Sequence, residues 1–330
     1  MRTNNRSAAI DAVRIIGIVA VIVGHVWETE MFQRLIYSWQ VPVFFVLTGY
    51  FWTARRSVSE EVRKRSLTLL RPYLFWLTTI GLLFLARSVS ESGTSRLASD
   101  VFQIVLGGSY AVRPFTAFWF ATALFFGAVG LRCMQRLPMW GQWSAATVIL
   151  AAAYLAPAFF KGIPLAAGTG LACVVFVLAG VAFRAVRNRI RAGAIVGVAM
   201  IAVGLLLSGF GMTASLSLKN AQFGTPVASV LIAVAVSVGM VLVAEATIPL
   251  LSDRAQSAIT TVAVCGLMVV LTHPVILWVL STPPTGSWTA FALSVTVPWL
   301  TGLILLFTPL SPWALGVARR ERSQLGFAAR

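Results

Sequence analysis

Arg14 and His25 stand eleven positions apart inside an apolar stretch, with Asp11 before them and Glu28 after. An imidazole takes up or gives off a proton near neutral pH. A guanidinium keeps its charge and suits anions. Eleven residues of α-helix turn through about 1100°, within roughly 20° of three full turns, so Arg14 and His25 share one helix face about 16 Å apart along the axis. Asp11 is spaced to pair with Arg14 one turn on. Glu28 is spaced in the same way from His25, where it either sets the histidine tautomer or faces water. Ionisable residues inside a membrane helix are costly and mark either a function or a helix contact. The stretch is therefore a reaction path along one face, or a pair of polar residues that hold helices together.

The surrounding chain must supply a membrane scaffold for those residues. With 58% hydrophobic and 11% charged residues over 330 positions, and a mean hydropathy of +0.86, the sequence is that of an integral membrane protein. The net charge of +16 comes from 26 Lys and Arg scattered between apolar blocks. That pattern reads as an orientation signal and argues against nucleic acid, which calls for a basic patch. Cys133, Cys173 and Cys265 occur singly, and two histidines without a Cys or acidic cluster offer no metal site. The basic head, Met1 to Arg6, resembles a signal peptide. Its apolar region is interrupted by Arg14 and no small-x-small cleavage site follows, so it is expected to stay as the first span.

Crossing roughly 30 Å of hydrocarbon takes about 20 apolar residues. Ten such blocks run over 9–27, 35–53, 69–88, 116–134, 143–160, 164–183, 193–210, 225–245, 258–280 and 287–307, with 246–257 as the weakest separator. A cytoplasmic N-terminus places 19 basic residues in inner segments and 6 in outer ones, which predicts an all-α protein of about ten transmembrane helices with both termini cytoplasmic. The expected layout is a polytopic domain over 1–310 and a basic cytoplasmic tail over 311–330. Arg14 then lies near the inner quarter and His25 about 24 Å above Ala9, in the outer half. The longest connection, 89–115, carries Gly, Ser and an Arg-Pro pair and is expected to fold over an outward-facing cavity.

Several stretches, in order, resemble the membrane acyltransferase-3 family. Ile10-Asp11-Ala12-Val13-Arg14 followed by Gly24-His25 is similar to its opening motif, and Val41-Pro42-Val43-Phe44-Phe45 through Phe51 to its second span, with Thr48 where Ser is commoner. Lys64-Arg65-Ser66-Leu67 through Leu74 is similar to the basic approach to its third span. Here Thr68 takes the place of a common second Arg, and Arg71 is an extra basic residue before Pro72. Phe118-Trp119-Phe120 and Leu271-Thr272-His273-Pro274 resemble later stretches of the family.

The resemblance implies a multi-pass enzyme of the bacterial cytoplasmic membrane. It would move an acyl group, commonly acetyl, from cytoplasmic acyl-coenzyme A, its donor substrate, to a hydroxyl on a carbohydrate, cell-surface glycan or other small or lipid-linked acceptor. No cofactor is expected to be resident. A hydroxyl attacks poorly until a base accepts its proton, and His25 suits that role or that of a covalent acyl carrier, with Arg14 assisting. The loop from Arg55 to Arg71 suits the phosphates of coenzyme A, with Arg65 and Arg71 favoured as its ligands; basic inner loops also set topology. Asp11, Glu28, Tyr50, Trp119 and His273 complete the candidates for the cavity and its surroundings. An interface anchor is the other reading of Tyr50 and Trp119, and a helix kink that of His273-Pro274. The competing function is a secondary transporter with Arg14, His25 and His273 on a proton or anion path. Residues 1–160 and 161–310 show none of the correspondence that transporter halves often have.

Overall fold

The computed structural model describes residues 7–320; the ends of the chain, including Arg2, Arg6 and the last ten residues of the expected basic tail, lie outside the described residues. Among the described residues the fold is helical and has no strand, only an isolated bridge between Ser217 and Gln222. Among the described residues four helices are long and apolar enough to cross a membrane: Ala8–Val26, Val58–Ser92, Ala228–Leu250 and Trp288–Leu305. Two bent pairs raise the number to six if each is one span, namely Pro164–Ala172 with Val174–Arg189 and Asp253–Val264 with Gly266–Val279. The other expected blocks hold shorter helices, among them Trp119–Met134, Met139–Leu155 and Gly193–Gly209.

The first helix is the axis of the bundle. Ile10, Val13, Ile22 and Val26 are almost wholly buried, so its neighbours enclose it on most sides. The block over 35–53 is not one helix, as its hydropathy suggested. It divides into Glu30–Tyr37 and Pro42–Tyr50, with Pro42 taking the first turn of the second piece, where a missing N–H costs nothing. The third block begins earlier than expected, at Val58, because Ser57 and Glu60 form a reciprocal capping box. A π turn over Ser66–Leu70 precedes Pro72 and relieves the clash a proline brings to the preceding turn.

Close packing rests on glycine where backbones meet. A Cβ on Gly49 would lie 1.8 Å from the Val177 carbonyl oxygen, and one on Gly180 would lie 2.0 Å from that of Val46. The Pro42–Tyr50 helix therefore touches its partner backbone to backbone, as small residues permit between membrane helices. The outward faces carry exposed Leu82, Leu83, Ile195, Leu206, Leu300 and Ile304, an apolar surface of the kind a bilayer covers.

The two broken pairs bend by 44° at Cys173 and by 60° at Cys265. At the second break Gly266 meets Ile18 of the first helix; a Cβ there would stand 2.5 Å from Ile18 Cδ1. That contact sets the path of Gly266–Val279, which brings His273 to His25.

Candidate active site

His25 sits in the last turn of the first helix, where its Nδ1–H donates to the Val21 carbonyl at 2.9 Å. With that nitrogen engaged, the lone pair for chemistry is on Nε2. The imidazole lines a cavity of about 140 Å³, together with Tyr37, Gln40, Phe44, Trp119 and Lys219. Tyr37 donates to the Gly24 carbonyl at 2.9 Å. Gly24 makes room for it, since a Cβ there would lie 2.6 Å from the tyrosine ring. Phe44 and Phe120 meet edge to face at 5.0 Å and close the apolar wall.

Behind His25 lies His273, fully buried, its ring T-shaped against the first at a centroid distance of 5.1 Å. Its Nδ1–H donates to the Val269 carbonyl at 3.1 Å, and its Nε2 is buried without a hydrogen-bond partner. One turn of backbone thus orients each imidazole, and the second lone pair is held in reserve beside the first.

Arg113 ties the end of the first helix to the turn after Val279. It donates to the carbonyls of Thr282 at 2.8 Å and His25 at 3.2 Å, and to Glu28 Oε1 at 2.8 Å. Of the two readings of Glu28, the first does not hold: the Val21 carbonyl takes the His25 Nδ1–H, and Glu28, partly exposed, pairs with Arg113. The 89–115 connection bonds to two residues of the lining: Arg113 donates to the His25 carbonyl, and the Ala111 carbonyl accepts from Lys219 Nζ at 2.6 Å. Lys219 lies in a connection outside the spans. Burial and the nearby Lys161 push its ammonium down to about 8, against a smaller upward pull from Glu28.

A second charged cluster lies toward the other end of the first helix. Arg14 pairs with Asp11 at 2.6 Å, as the spacing predicts, and its guanidinium stands 5.6 Å from the Phe51 ring centre. Beyond Phe51 the buried Glu61 accepts from Arg65 at 2.8 Å and Arg132 at 3.0 Å, with Arg56 at 3.4 Å. Arg132 lies 4.1 Å over Trp52 and donates to the carbonyls of Thr53 and Arg56. Arg65 is thus tied through Nε to Glu61. Arg71 stacks over Trp313 at 5.5 Å with a buried, unpartnered Nε. Tyr50 points away from the cavity and donates to Glu245 at 2.5 Å, which also pairs with Arg187.

The predicted residues therefore fall into two groups. His25 and Trp119 line the cavity, with His273 packed against the His25 ring and Glu28 held by Arg113, while Arg14, Asp11, Tyr50, Arg65 and Arg71 belong to the opposite charged end. Sequence reasoning missed Gln40, Arg113 and Lys219. Arg113 had a signal in the Arg-Pro pair of the longest connection, and Lys219 in being a single cation between apolar blocks. Gln40 had none.

The sequence profile of the acyltransferase-3 family, described as an acyltransferase domain, matches residues 7–317. The chain belongs to that family. The description of that family is of acyl transfer, the first of the two functions weighed from the sequence. It is similar to Nodulation protein NolL of Mesorhizobium japonicum, 28% identical over 155 residues that make up 42% of this chain and 39% of that protein. It is also similar to Nodulation protein NolL of Sinorhizobium fredii, 27% identical over 136 residues, 37% of each chain. The matched region spans about two fifths of these relatives' length. No solved structure matches the chain.

Proposed function

We propose that this acyltransferase moves an acyl group, acetyl in the first instance, from acyl-coenzyme A at the Arg14 end to a hydroxyl of a carbohydrate-type acceptor in the His25 cavity. The observation that carries the reading is the His25 imidazole, oriented by Val21 and lining a cavity within a bundle of this family. Its Nε2 accepts the hydroxyl proton as the oxygen attacks the thioester carbonyl; the carbon–sulfur bond breaks, and coenzyme A leaves as the thiol with a proton returned to sulfur. In the alternative covalent route the same nitrogen takes the acyl group first. Arg14 assists with negative charge, and Arg65 and Arg71 bind phosphates, the free edge of Arg71 being the better placed of the two.

The same reading includes ten spans over 1–310, both termini cytoplasmic and residence in a bacterial inner membrane, with 311–330 as a basic tail. The 19-to-6 division of basic residues between alternate connections supports that orientation. It puts the Arg65 and Arg71 region on the side where acyl-coenzyme A is made and the His25 cavity toward the outside.

The test incubates membranes containing the protein with radiolabelled acetyl-coenzyme A and follows label in membrane acceptors alongside release of coenzyme A. His25→Ala should abolish both while leaving protein level and thermal stability in detergent unchanged. Full transfer by that variant overturns the role of His25.

A further inference from the structure

The cavity beside His25 holds an unbalanced charge. Lys219 is the cation on its lining, and no Asp or Glu side chain lines it. The carboxylates nearby are engaged elsewhere, Glu28 with Arg113 and Glu30 with Arg34. Among the described residues neither Lys219 nor Lys161 has a carboxylate within ion-pair distance. Lys219 gives one proton to the Ala111 carbonyl. An ammonium has three, so two remain for something else.

A second polar group in the same lining lacks a partner. Gln40 is 6% exposed, and its Oε1 is buried with no hydrogen-bond donor. It lies next to the base: a Cβ on Gly24, the residue before His25, would stand 3.1 Å from that oxygen. A buried amide oxygen left alone loses free energy, which a ligand N–H or O–H restores. The rest of the wall is apolar and aromatic, through Phe44, Trp119 and Phe120. A sugar ring, which packs its C–H face on aromatic side chains and carries several hydroxyls, matches all three features when it bears one anionic substituent.

We propose that the cavity is a subsite for an anionic sugar-type acceptor, in which Lys219 takes a carboxylate or phosphate of the acceptor, Gln40 Oε1 takes a second hydroxyl, and His25 faces the hydroxyl to be acylated. This rests on the acceptor entering at His25, as proposed above. The lysine then discriminates by charge. A neutral sugar leaves the ammonium without a counter-ion, whereas an anionic one replaces water with a charge-assisted hydrogen bond.

The test measures binding separately from turnover. Methyl glucoside, methyl glucuronide and glucose 1-phosphate are compared by saturation-transfer NMR on the purified protein in nanodiscs, in wild type, Lys219→Met, Lys219→Arg and Gln40→Leu. The two anionic sugars should bind at least about tenfold more tightly than the neutral one. That preference should vanish in Lys219→Met and persist in Lys219→Arg, while Gln40→Leu weakens all three alike. If the glucuronide alone is preferred the anion is a carboxylate, and if the phosphate alone is preferred it is a phosphate. Equal binding of charged and neutral sugars, no detectable binding of any, or a preference that survives Lys219→Met overturns the inference. Membranes that transfer label yet bind without charge preference refute only the subsite; membranes that transfer none refute the reading it rests on.

Discussion

The imidazoles of His25 and His273 meet edge to face with ring centroids 5.1 Å apart, although 248 positions separate them in the chain. Each ring is fixed by its own helix through an Nδ1–H bond to a carbonyl four residues back. The second ring therefore serves as a packed backstop that fixes where Nε2 of the first points.

Replacing His273 should lower kcat with little change in KM for acyl-coenzyme A, since it touches the base and not the donor end. His273→Ala removes the backstop and should cost about tenfold or more in kcat, as misplacement of a reacting group does. His273→Phe restores a ring edge but no nitrogen. Recovery of most of the rate in His273→Phe assigns the residue to positioning alone; a rate as low as that of the alanine variant assigns a part to its unpartnered Nε2. Initial rates over a range of acetyl-coenzyme A concentration give the comparison.

Glu61 and Arg132 form a pair of the opposite kind, with both side chains almost wholly out of solvent at 3.0 Å. Removing the carboxylate strands a guanidinium that is held between Trp52 and two carbonyls. A buried charge left without its partner typically costs about 3–5 kcal/mol. Glu61→Ala should therefore lower the thermal unfolding midpoint in detergent, and more sharply than Glu60→Ala, whose carboxylate serves an exposed cap. Equal midpoints for the two variants would show that the pair adds nothing to stability.

What was legible in the sequence depends on distance along the chain. The first helix and the Asp11–Arg14 pair follow from spacing within a turn or two, and the structure contains both. Helical membrane character follows from composition, which each block carries by itself. The cavity does not follow, because its walls come from segments as far apart as Val21, Gln40, Trp119, Lys219 and Val270. Glu61 reads as one charge in a basic loop until Arg132, 71 positions on, closes over it. The bend at Cys173 has no proline to announce it, and the break at Cys265 is set by the contact of Gly266 with Ile18. Glu28 misled for the same reason: helical spacing offered it to His25, and a loop residue, Arg113, claimed it.

Gly180 should tolerate no side chain. A Cβ at that position would stand 2.0 Å from a backbone oxygen, so the helices themselves must separate to admit it. Overpacking at a rigid site costs about 1–3 kcal/mol and more where backbone must move. Gly180→Ala should give protein that is inserted but aggregates in detergent or elutes early on size exclusion. Gly81→Ala is the control, because a Cβ there meets nothing within 4 Å. Monodisperse, normally stable Gly180→Ala would refute the close approach.

Binding of an anionic acceptor should weaken as the solution is made alkaline. The Lys219 ammonium is held down to about 8 by burial and by Lys161, with Glu28 opposing. Below that pH the group is charged and binds an anion; as pH rises through it the charge is lost, and affinity falls by up to about tenfold per unit. The other ionisable groups close by are the Arg113–Glu28 pair and the imidazole of His25 on the first helix. The arginine holds its charge throughout. Lys219→Arg should accordingly flatten the fall above pH 8 while leaving affinity at pH 7 near that of wild type. Glucuronide affinity measured from pH 6.5 to 9.5 in both proteins tests this, and an identical alkaline fall in Lys219→Arg would trace it to another group.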